Sequence, residues 1–196
     1  MRRLKLQMHI TIDGFVGRTD GGMDWVTFNY DDELRRRSLS NLDTVDCILM
    51  AMGHKSEMQF IPYWASVASN PDDPFFAYGK KLTEIPKVVL SNTLTHSEWP
   101  HTTTVNGDFI EETKRLKEFN GGDIIVFGGA TLAASLIANH LIDEIHLLIN
   151  PVAIGNGLPI FRGLAKKLEM TLIEITRFDC GIVWLRYDCH KFAAAH

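Results

Sequence analysis

Three short segments of the chain combine glycines, hydroxyl groups and cationic side chains in patterns that suit phosphate binding. They are Gly53-His54-Lys55-Ser56, Ser91-Asn92-Thr93 and Gly128-Gly129-Ala130-Thr131, and each follows an apolar run that predicts a β-strand. A glycine lets the backbone approach a ligand closely, and the N-terminus of a helix presents N–H groups and partial positive charge to an anion. A double glycine before a helix is most often only a tight turn. Three such strand exits in one chain nevertheless favour a dinucleotide site.

The same glycines do not complete either of the best-known phosphate motifs. Gly128-Gly129 lacks the third glycine of GxGxxG, and Gly53-His54-Lys55-Ser56 lacks the upstream glycine and the Gly-Lys-Ser order of a P-loop. A kinase or an NTPase is therefore not predicted. The histidines have no metal-ligand spacing, and there is no G-x-S-x-G elbow, so we predict neither a metal site nor a serine hydrolase.

Four carboxylates lie early in the chain, at Asp13, Asp24, Asp31 and Asp32. A carboxylate there could bind the amidine-like edge of a pterin or pyrimidine through paired hydrogen bonds. The alternative is that these side chains stabilise turns and helix starts, and for Asp13 and Asp31 that interpretation is slightly favoured. Trp25 could stack on a planar ligand, although a core position is at least as common for a tryptophan.

The elements that must position these residues alternate between strand and helix patterns. The first strand, residues 4–12, alternates apolar and polar residues, which predicts one buried face. Further strands are predicted at 47–52, 87–91, 124–127 and 144–152, helices start near 31, 53, 75, 109 and 130, and residues 62–74 form a loop. Residues 168–178 and 182–190 predict an antiparallel hairpin. The alternation indicates an α/β domain with a mostly parallel central sheet and this hairpin at one edge.

Length, charge and cysteine content limit the class of protein further. A chain of 196 residues without a repeat or a clear linker predicts one domain, residues 1–196. The net charge of -4 argues against a nucleic-acid-binding face. The three cysteines lack CxxC spacing, which favours a reducing compartment. No segment approaches the length of a membrane span or has a signal-peptide pattern. We expect a cytoplasmic protein that binds neither nucleic acid nor a membrane.

The order of these segments resembles the dihydrofolate reductase-like fold, and most closely its branch related to the reductase domain of riboflavin biosynthesis, the RibD C-terminal domain family. The resemblance extends over nearly the whole chain and rests on residues 12–17 with 23–25, 49–56, 88–94, 125–132, and 141–147 with 151–152. Each motif is of modest specificity, whereas their order and spacing are more specific. The resemblance implies a three-layer fold in which helices flank the sheet.

The resemblance also implies a role for each candidate residue in binding a nicotinamide cofactor. Gly53, His54 and Ser56, with Lys55 adjacent, would face the cofactor phosphates, and Ser91 and Asn92 would lie near the adenosine ribose. The pyrophosphate would be held by Gly128, Gly129, Ala130, Thr131 and Leu132, and the nicotinamide would be bordered by Val16 and Gly17. His54 and Asn92 stand where the family usually has arginine, the residue best suited to a ribose 2′-phosphate. The implied cofactor is therefore NADPH, with NADH as the alternative.

The function that the resemblance implies is an NAD(P)H-dependent reductase acting on a pterin or aminopyrimidine-type substrate, and forming a homodimer. The two enzymes whose activity it would resemble are 5-amino-6-(5-phosphoribosylamino)uracil reductase and dihydrofolate reductase. Asp32 or Asp13 would orient the substrate or relay a proton, and Trp25 would contact the substrate. Because the Cys/His zinc signature of a deaminase is absent, the chain need not serve riboflavin synthesis itself. The alternative is a non-catalytic nucleotide- or ligand-binding protein of the same fold.

Overall fold

The computed structural model describes residues 1–51, 55–94, 96–97 and 99–190. In these ranges the strands are β1 (Leu4–Thr11), β2 (Val45–Ala51), β3 (Lys87–Leu90), β4 (Thr102–Val105), β5 (Asp123–Val126), β6 (Glu144–Asn150), β7 (Thr171–Arg177) and β8 (Val183–Asp188). The helices are α1 (Asp32–Ser40), α2 (Lys55–Ala68), α3 (Phe76–Glu84), α4 (Phe109–Glu118) and α5 (Ala130–Ala138). The predicted α/β fold, with a mostly parallel sheet and a C-terminal antiparallel hairpin, is confirmed.

The chain divides into two compact units, which are described separately. The first comprises residues 1–2 and 32–125, and the second comprises residues 3–31 and 126–196. In the first unit the strand order is β4-β3-β2-β5, and neighbouring strands are parallel. In the second unit the order is β1-β6-β8-β7, with β1 parallel to β6 and with β8 antiparallel to both of its neighbours.

Two elements of the first unit differ from the sequence prediction. Residues 62–68 belong to α2 rather than to a loop, although Pro62 lies inside that helix. Packing against α3 stabilises the extended helix, because the Trp64 ring lies 5.0 Å from Tyr78 and a Cβ at Gly79 would lie only 2.8 Å from Val67. The second difference is β4, whose four residues are too short and too polar to predict a strand; pairing with β3 forms it.

In the second unit, β1 is buried on both faces, so the prediction of one buried face is wrong. Its polar residues Lys5 and Gln7 are buried, as its leucines are. In the parallel register, Lys5 lies opposite Glu144 and Gln7 lies opposite His146, both of which are also buried. A polar row therefore continues from β1 onto β6. The alternation in the sequence reflects two chemically different faces, both inside the protein.

Glu144 is the centre of the ionic part of this row. Its carboxylate accepts hydrogen bonds from Arg186 Nε at 2.6 Å and from His146 Nε2 at 2.5 Å, and Arg3 Nη2 lies 2.6 Å away. Burial alone would raise the pKa of Glu144, but the bonds from His146 and Arg186 outweigh it and lower that pKa to about 2. Glu144 is therefore ionised, and its partners stabilise the start of β6.

α5 is the helix of the second unit that leaves the double glycine. Six of its residues are buried, namely Ala130, Leu132, Ala133, Ala134, Leu136 and Ile137. A helix that is apolar on most of its surface belongs in a core. Its N-terminus is therefore held in a fixed place.

Of the helices in the described part of the chain, none has the length and apolarity needed to cross a bilayer.

Candidate functional site

The double-glycine turn connects β5 to α5 through a conformation that requires glycine. Gly128 has φ +140°, and a Cβ there would contact Met8 Cε at 3.6 Å. Gly129 is the N-cap of α5 with φ -71°, and the peptide bond between the two glycines is cis. The glycine N-cap makes no side-chain hydrogen bond to the helix. A helix N-terminus presents backbone N–H groups and partial positive charge, which suit an anion.

An arginine that the sequence analysis did not identify lies beside this helix N-terminus. Arg162 Nη2 donates to Thr131 Oγ1 at 2.7 Å, and both residues are exposed. The guanidinium thus brings a permanent positive charge to the first turn of α5. No local pattern marks Arg162, because 31 positions separate it from Thr131. The turn and Arg162 together form a cationic surface built from two distant parts of the chain.

The predicted nicotinamide-side residues lie in a loop that is paired with residues 157–158. Val16 N donates to Leu158 O at 3.0 Å, and Leu158 N donates to Gly17 O at 2.8 Å. Gly157 is required at the crossing, because a Cβ there would lie 2.3 Å from Gly17 O. Val16 and Gly17 are buried by this packing. Residues 16–17 are therefore fixed by backbone contacts rather than by side chains.

Three of the early carboxylates bind groups within the second unit. Asp13 Oδ2 accepts from Gly155 N at 2.7 Å and from Ile154 N at 3.1 Å. The hydrogen bond with Thr11, followed by these backbone bonds, lowers the pKa of Asp13. Asp24 pairs with Arg18 at 2.5 Å, and this hydrogen bond lowers its pKa. Asp31 Oδ2 accepts from the backbone N–H of Cys180 at 3.1 Å. Asp13 and Asp31 thus join segments of the unit that are 141 to 149 positions apart.

Trp25 and Asp32 occupy opposite environments. The Trp25 side chain is buried, and its Nε1 has no hydrogen-bond partner among the described residues. Asp32 belongs to the first unit, where it begins α1, is highly exposed and pairs with Arg35 one turn later. An acidic residue in the first turn interacts favourably with the helix dipole. This interaction explains the carboxylate at position 32 without a bound ligand.

The candidate ribose residues of the first unit are engaged in a turn after β3. The buried Ser91 Oγ accepts from Thr93 N at 3.2 Å and from Leu94 N at 3.1 Å. Asn92 is exposed, and its Oδ1 accepts from Gly107 N at 3.2 Å. Ser91 therefore shapes the turn, and Asn92 lies at the surface. Gly53 and His54 lie outside the described residues, as do the side chains of Lys55 and Ser56.

A second group that the sequence analysis missed lies near the carboxyl ends of β1 and β6. His9 Nε2 is 2.5 Å from Tyr30 Oη, and His9 Nδ1 is 3.1 Å from Asn150 Nδ2. Burial lowers the pKa of His9 to about 4. The imidazole is therefore neutral at physiological pH. Within the described ranges, no cluster of three or more His, Cys, Asp or Glu residues could hold a metal ion.

Comparison with known protein families gives one match that extends over almost the whole chain. The model of the family described as the RibD C-terminal domain matches residues 2–184. Uncharacterized protein YyaP of Bacillus subtilis (strain 168) is 29% identical over 190 residues, which are 95% of this chain and 94% of that protein.

Solved structures of the same fold include two reductases. One is a diaminohydroxyphosphoribosylaminopyrimidine deaminase/5-amino-6-(5-phosphoribosylamino)uracil reductase from Thermotoga maritima, with TM-score 0.67, 16% identity, and coverage of 96% of this chain and 56% of that chain. The other is dihydrofolate reductase from Enterococcus faecalis complexed with NADP(H) and RAB-propyl, with TM-score 0.56, 11% identity and 96% coverage of both chains. At these identities the likeness concerns the fold alone.

Proposed function

Because the chain belongs to the RibD C-terminal domain family, we propose that it is an NAD(P)H-dependent reductase that transfers hydride to a pterin or aminopyrimidine-type substrate. The observation that carries the proposal is the N-terminus of α5, which begins after a glycine N-cap and has Arg162 beside Thr131. Such a surface suits the pyrophosphate of a dinucleotide, because N–H groups and a guanidinium both donate to phosphate oxygens. The substrate class comes from the family and from the names of the two reductases with this fold.

The residues of the second unit fit a nicotinamide cofactor. The backbone of residues 128–132 would hold the pyrophosphate, and residues 16–17 would border the nicotinamide, which supplies the hydride when bound. Arg162 would provide a cation at the pyrophosphate. NADPH is the proposed cofactor and NADH is its alternative. NADP(H) is bound by the Enterococcus reductase.

On the substrate side, Asp32 is the better of the two proposed carboxylates. Asp13 is bonded to the backbone of residues 154–155, and its lowered pKa makes it a poor proton donor. Asp32 is exposed, and its partner Arg35 is a surface residue on the same helix. An Asp32→Asn variant tests this role, since full retention of activity would remove Asp32 from the mechanism.

The second candidate is a nucleotide- or ligand-binding protein of the same fold without reductase activity. It is favoured by the contacts of Asp13 and by the missing arginines at positions 54 and 92. The reductase and a non-catalytic nucleotide-binding protein both predict nucleotide binding, and only the reductase predicts oxidation of NADPH when a substrate is added.

The test is a thermal shift of the protein with NADPH, with NADH and without nucleotide. A ligand that binds only the folded protein raises its melting temperature. At a ligand concentration of a hundred times Kd, the free energy of unfolding rises by about 2.7 kcal/mol. Gly129→Val should abolish the shift, because φ -71° accommodates valine and the new methyl groups block the approach to the helix N-terminus. No shift with either nucleotide at millimolar concentration would reject the reductase and would leave, of the second candidate, only the binding of another kind of ligand.

The proposal includes a homodimer formed through β7. This strand lies at the end of the order β1-β6-β8-β7, and Leu172, Ile173 and Ile175 on it are exposed. An apolar edge strand can pair with the same strand of a second copy. Ile175→Lys should shift the protein to the monomer in size-exclusion chromatography with light scattering, whereas Arg177→Lys should not.

The free cysteines support a reducing, cytoplasmic location.

A further inference from the structure

A long connection of the second unit, residues 151–170, joins β6 to β7 without a helix or a strand of its own. Connections of more than about 12–15 residues are uncommon in compact domains unless they have a function. Residues 154–162 of this connection, called the strap below, contact Asp13, then the loop of residues 15–17, and finally the first turn of α5. The strap therefore joins the two places at which the cofactor is proposed to bind.

The strap begins at a carboxylate that follows β1. Asp13 Oδ2 accepts from Ile154 N at 3.1 Å and from Gly155 N at 2.7 Å. Gly155 has φ +74°, a conformation that favours glycine. Just before the strap, Ile12 N donates to Val152 O at 2.9 Å. The start of the strap is thus fixed to the end of β1 by one backbone bond and two bonds to a single carboxylate oxygen.

The middle of the strap pairs with the nicotinamide-side loop. Phe15 and Pro159 form an antiparallel bridge, beside the two backbone hydrogen bonds that join residues 16–17 to Leu158. Gly155 is only three positions before Leu158. A displacement of the strap at Gly155 is therefore transmitted to this pairing.

The end of the strap places the arginine beside α5. Ile160 is fully buried, and Arg162, two positions later, donates from Nη2 to Thr131 Oγ1 at 2.7 Å. An arginine side chain is long and has many conformations in solution, so ordering it costs conformational entropy. A strap backbone that is fixed at Ile160 limits those conformations to the ones that reach the first turn of α5.

We propose that Asp13 is a positioning residue, which anchors the strap so that residues 16–17 and Arg162 face one bound cofactor at the same time. The carboxylate acts through the backbone N–H groups of residues 154–155 and does not itself bind the cofactor. This inference rests on the proposed function, because it assumes that residues 16–17 and the first turn of α5 hold the cofactor. It gives Asp13 a role other than orienting the substrate or relaying a proton.

Asparagine and alanine at position 13 separate hydrogen bonding from charge. Both substitutions remove the same negative charge, so both change the repulsion of an anionic cofactor equally. Only asparagine keeps a side-chain oxygen that can accept from the two N–H groups of the strap. In calorimetric titration, Asp13→Ala should weaken NADPH binding about tenfold, whereas Asp13→Asn should stay within about threefold of the wild type.

The matched control for these variants is Asp20→Ala. Asp20 Oδ1 accepts from Gly22 N at 2.9 Å, so this variant also removes a charge and a carboxylate bond to a backbone N–H group. The bond lies within residues 20–22 and does not hold the strap. NADPH affinity of Asp20→Ala should therefore stay within about threefold of the wild type.

Hydrogen exchange in nucleotide-free protein tests the anchoring itself. Peptides that cover residues 14–18 and 154–160 should exchange about tenfold faster in Asp13→Ala, because loss of the anchor weakens the bonds that protect their N–H groups. Asp13→Asn and Asp20→Ala should keep the protection of residues 154–160. In titration, Asp13→Ala combined with Arg162→Ala should lose less affinity than the product of the two single losses, because both changes remove the same contact between Arg162 and the cofactor.

The outcomes separate this inference from the proposed function. Equal NADPH affinity of Asp13→Ala and Asp13→Asn, unchanged exchange of residues 154–160 in Asp13→Ala, or a double variant that loses the full product would overturn the inference. Failure of the wild-type protein to bind NADPH rejects the reductase, whereas exchange still decides whether Asp13 anchors the strap. Far-UV circular dichroism checks the fold of each variant. Asp13→Ser, whose hydroxyl is too short to reach the strap, replaces Asp13→Ala if that variant does not fold.

Discussion

Gly157→Ala is the sharpest test of how the nicotinamide-side loop is held. The new Cβ would lie 2.3 Å from Gly17 O and 3.0 Å from Phe15 Cβ, far closer than van der Waals contact. Backbone has to move, and the movement separates Val16 and Gly17 from Leu158. The two backbone hydrogen bonds between them contribute about 1 kcal/mol each, and overpacking adds about 1–3 kcal/mol. We expect a loss of at least about 3 kcal/mol in the free energy of unfolding.

Urea denaturation measures the loss of stability, and NADPH titration measures the loss of affinity. In thermal denaturation of a chain of this size, a loss of about 3 kcal/mol corresponds to a fall of about 6–12 °C in Tm. NADPH affinity should fall about tenfold if residues 16–17 border the nicotinamide. The matched control is Gly163→Ala, where φ is +79° and no atom lies within 4 Å of the new Cβ. That variant should lose only about 1 kcal/mol, from backbone strain.

Two results would contradict the reasoning about Gly157. A loss no larger than that of Gly163→Ala would show that the loop can accommodate the methyl group, and that the packing at Gly17 is not restrictive. A clear loss of stability with unchanged NADPH affinity would separate the loop from the cofactor and refute the placement of the nicotinamide.

Three further predictions concern charge. Arg186→Met leaves Glu144 buried with fewer partners and should cost about 3 kcal/mol in urea denaturation at pH 7, whereas the exposed control Arg177→Met should cost under about 0.5 kcal/mol; similar costs would argue against the buried cluster. Because the pKa of His9 falls from 6.5 to about 4 on folding, its contribution is complete above pH 6.5 and is lost as the pH falls towards 4. His9→Gln should remove that pH dependence, and an unchanged difference in stability between pH 7 and pH 4.5 would refute it. Arg162→Ala should weaken NADPH about tenfold without changing Tm in its absence, and equal affinity would exclude Arg162 from the phosphates.

Local patterns in the sequence were sufficient for much of the architecture. Apolar runs, alternation and glycines act within a few residues, so they predicted β2, β3, α5 and the C-terminal hairpin correctly. The order of several weak motifs also identified the family, whose model matches residues 2–184. The double glycine was recognisable because a helix start after a strand is a local event.

Long-range packing decided what local patterns could not predict. α2 continues through Pro62 because Trp64 packs against α3, and β4 exists because β3 supplies its hydrogen bonds. Lys5 was expected on an exposed face, but burial depends on what covers a strand, which alternation cannot reveal. In each case the deciding partner is remote in the sequence.

The candidate site divides in the same way. Residues 128–132 were predicted from the sequence, since glycine conformation and helix starts are properties of neighbouring residues. Arg162 reaches Thr131 from 31 positions away, and Asn150 reaches His9 from 141 positions away. The sequence alone was therefore sufficient to predict this turn as the place for a phosphate. Only the tertiary structure brought the arginine to that turn and assembled the His9–Tyr30 pair, because both contacts are made between segments that meet only after the sheet has formed.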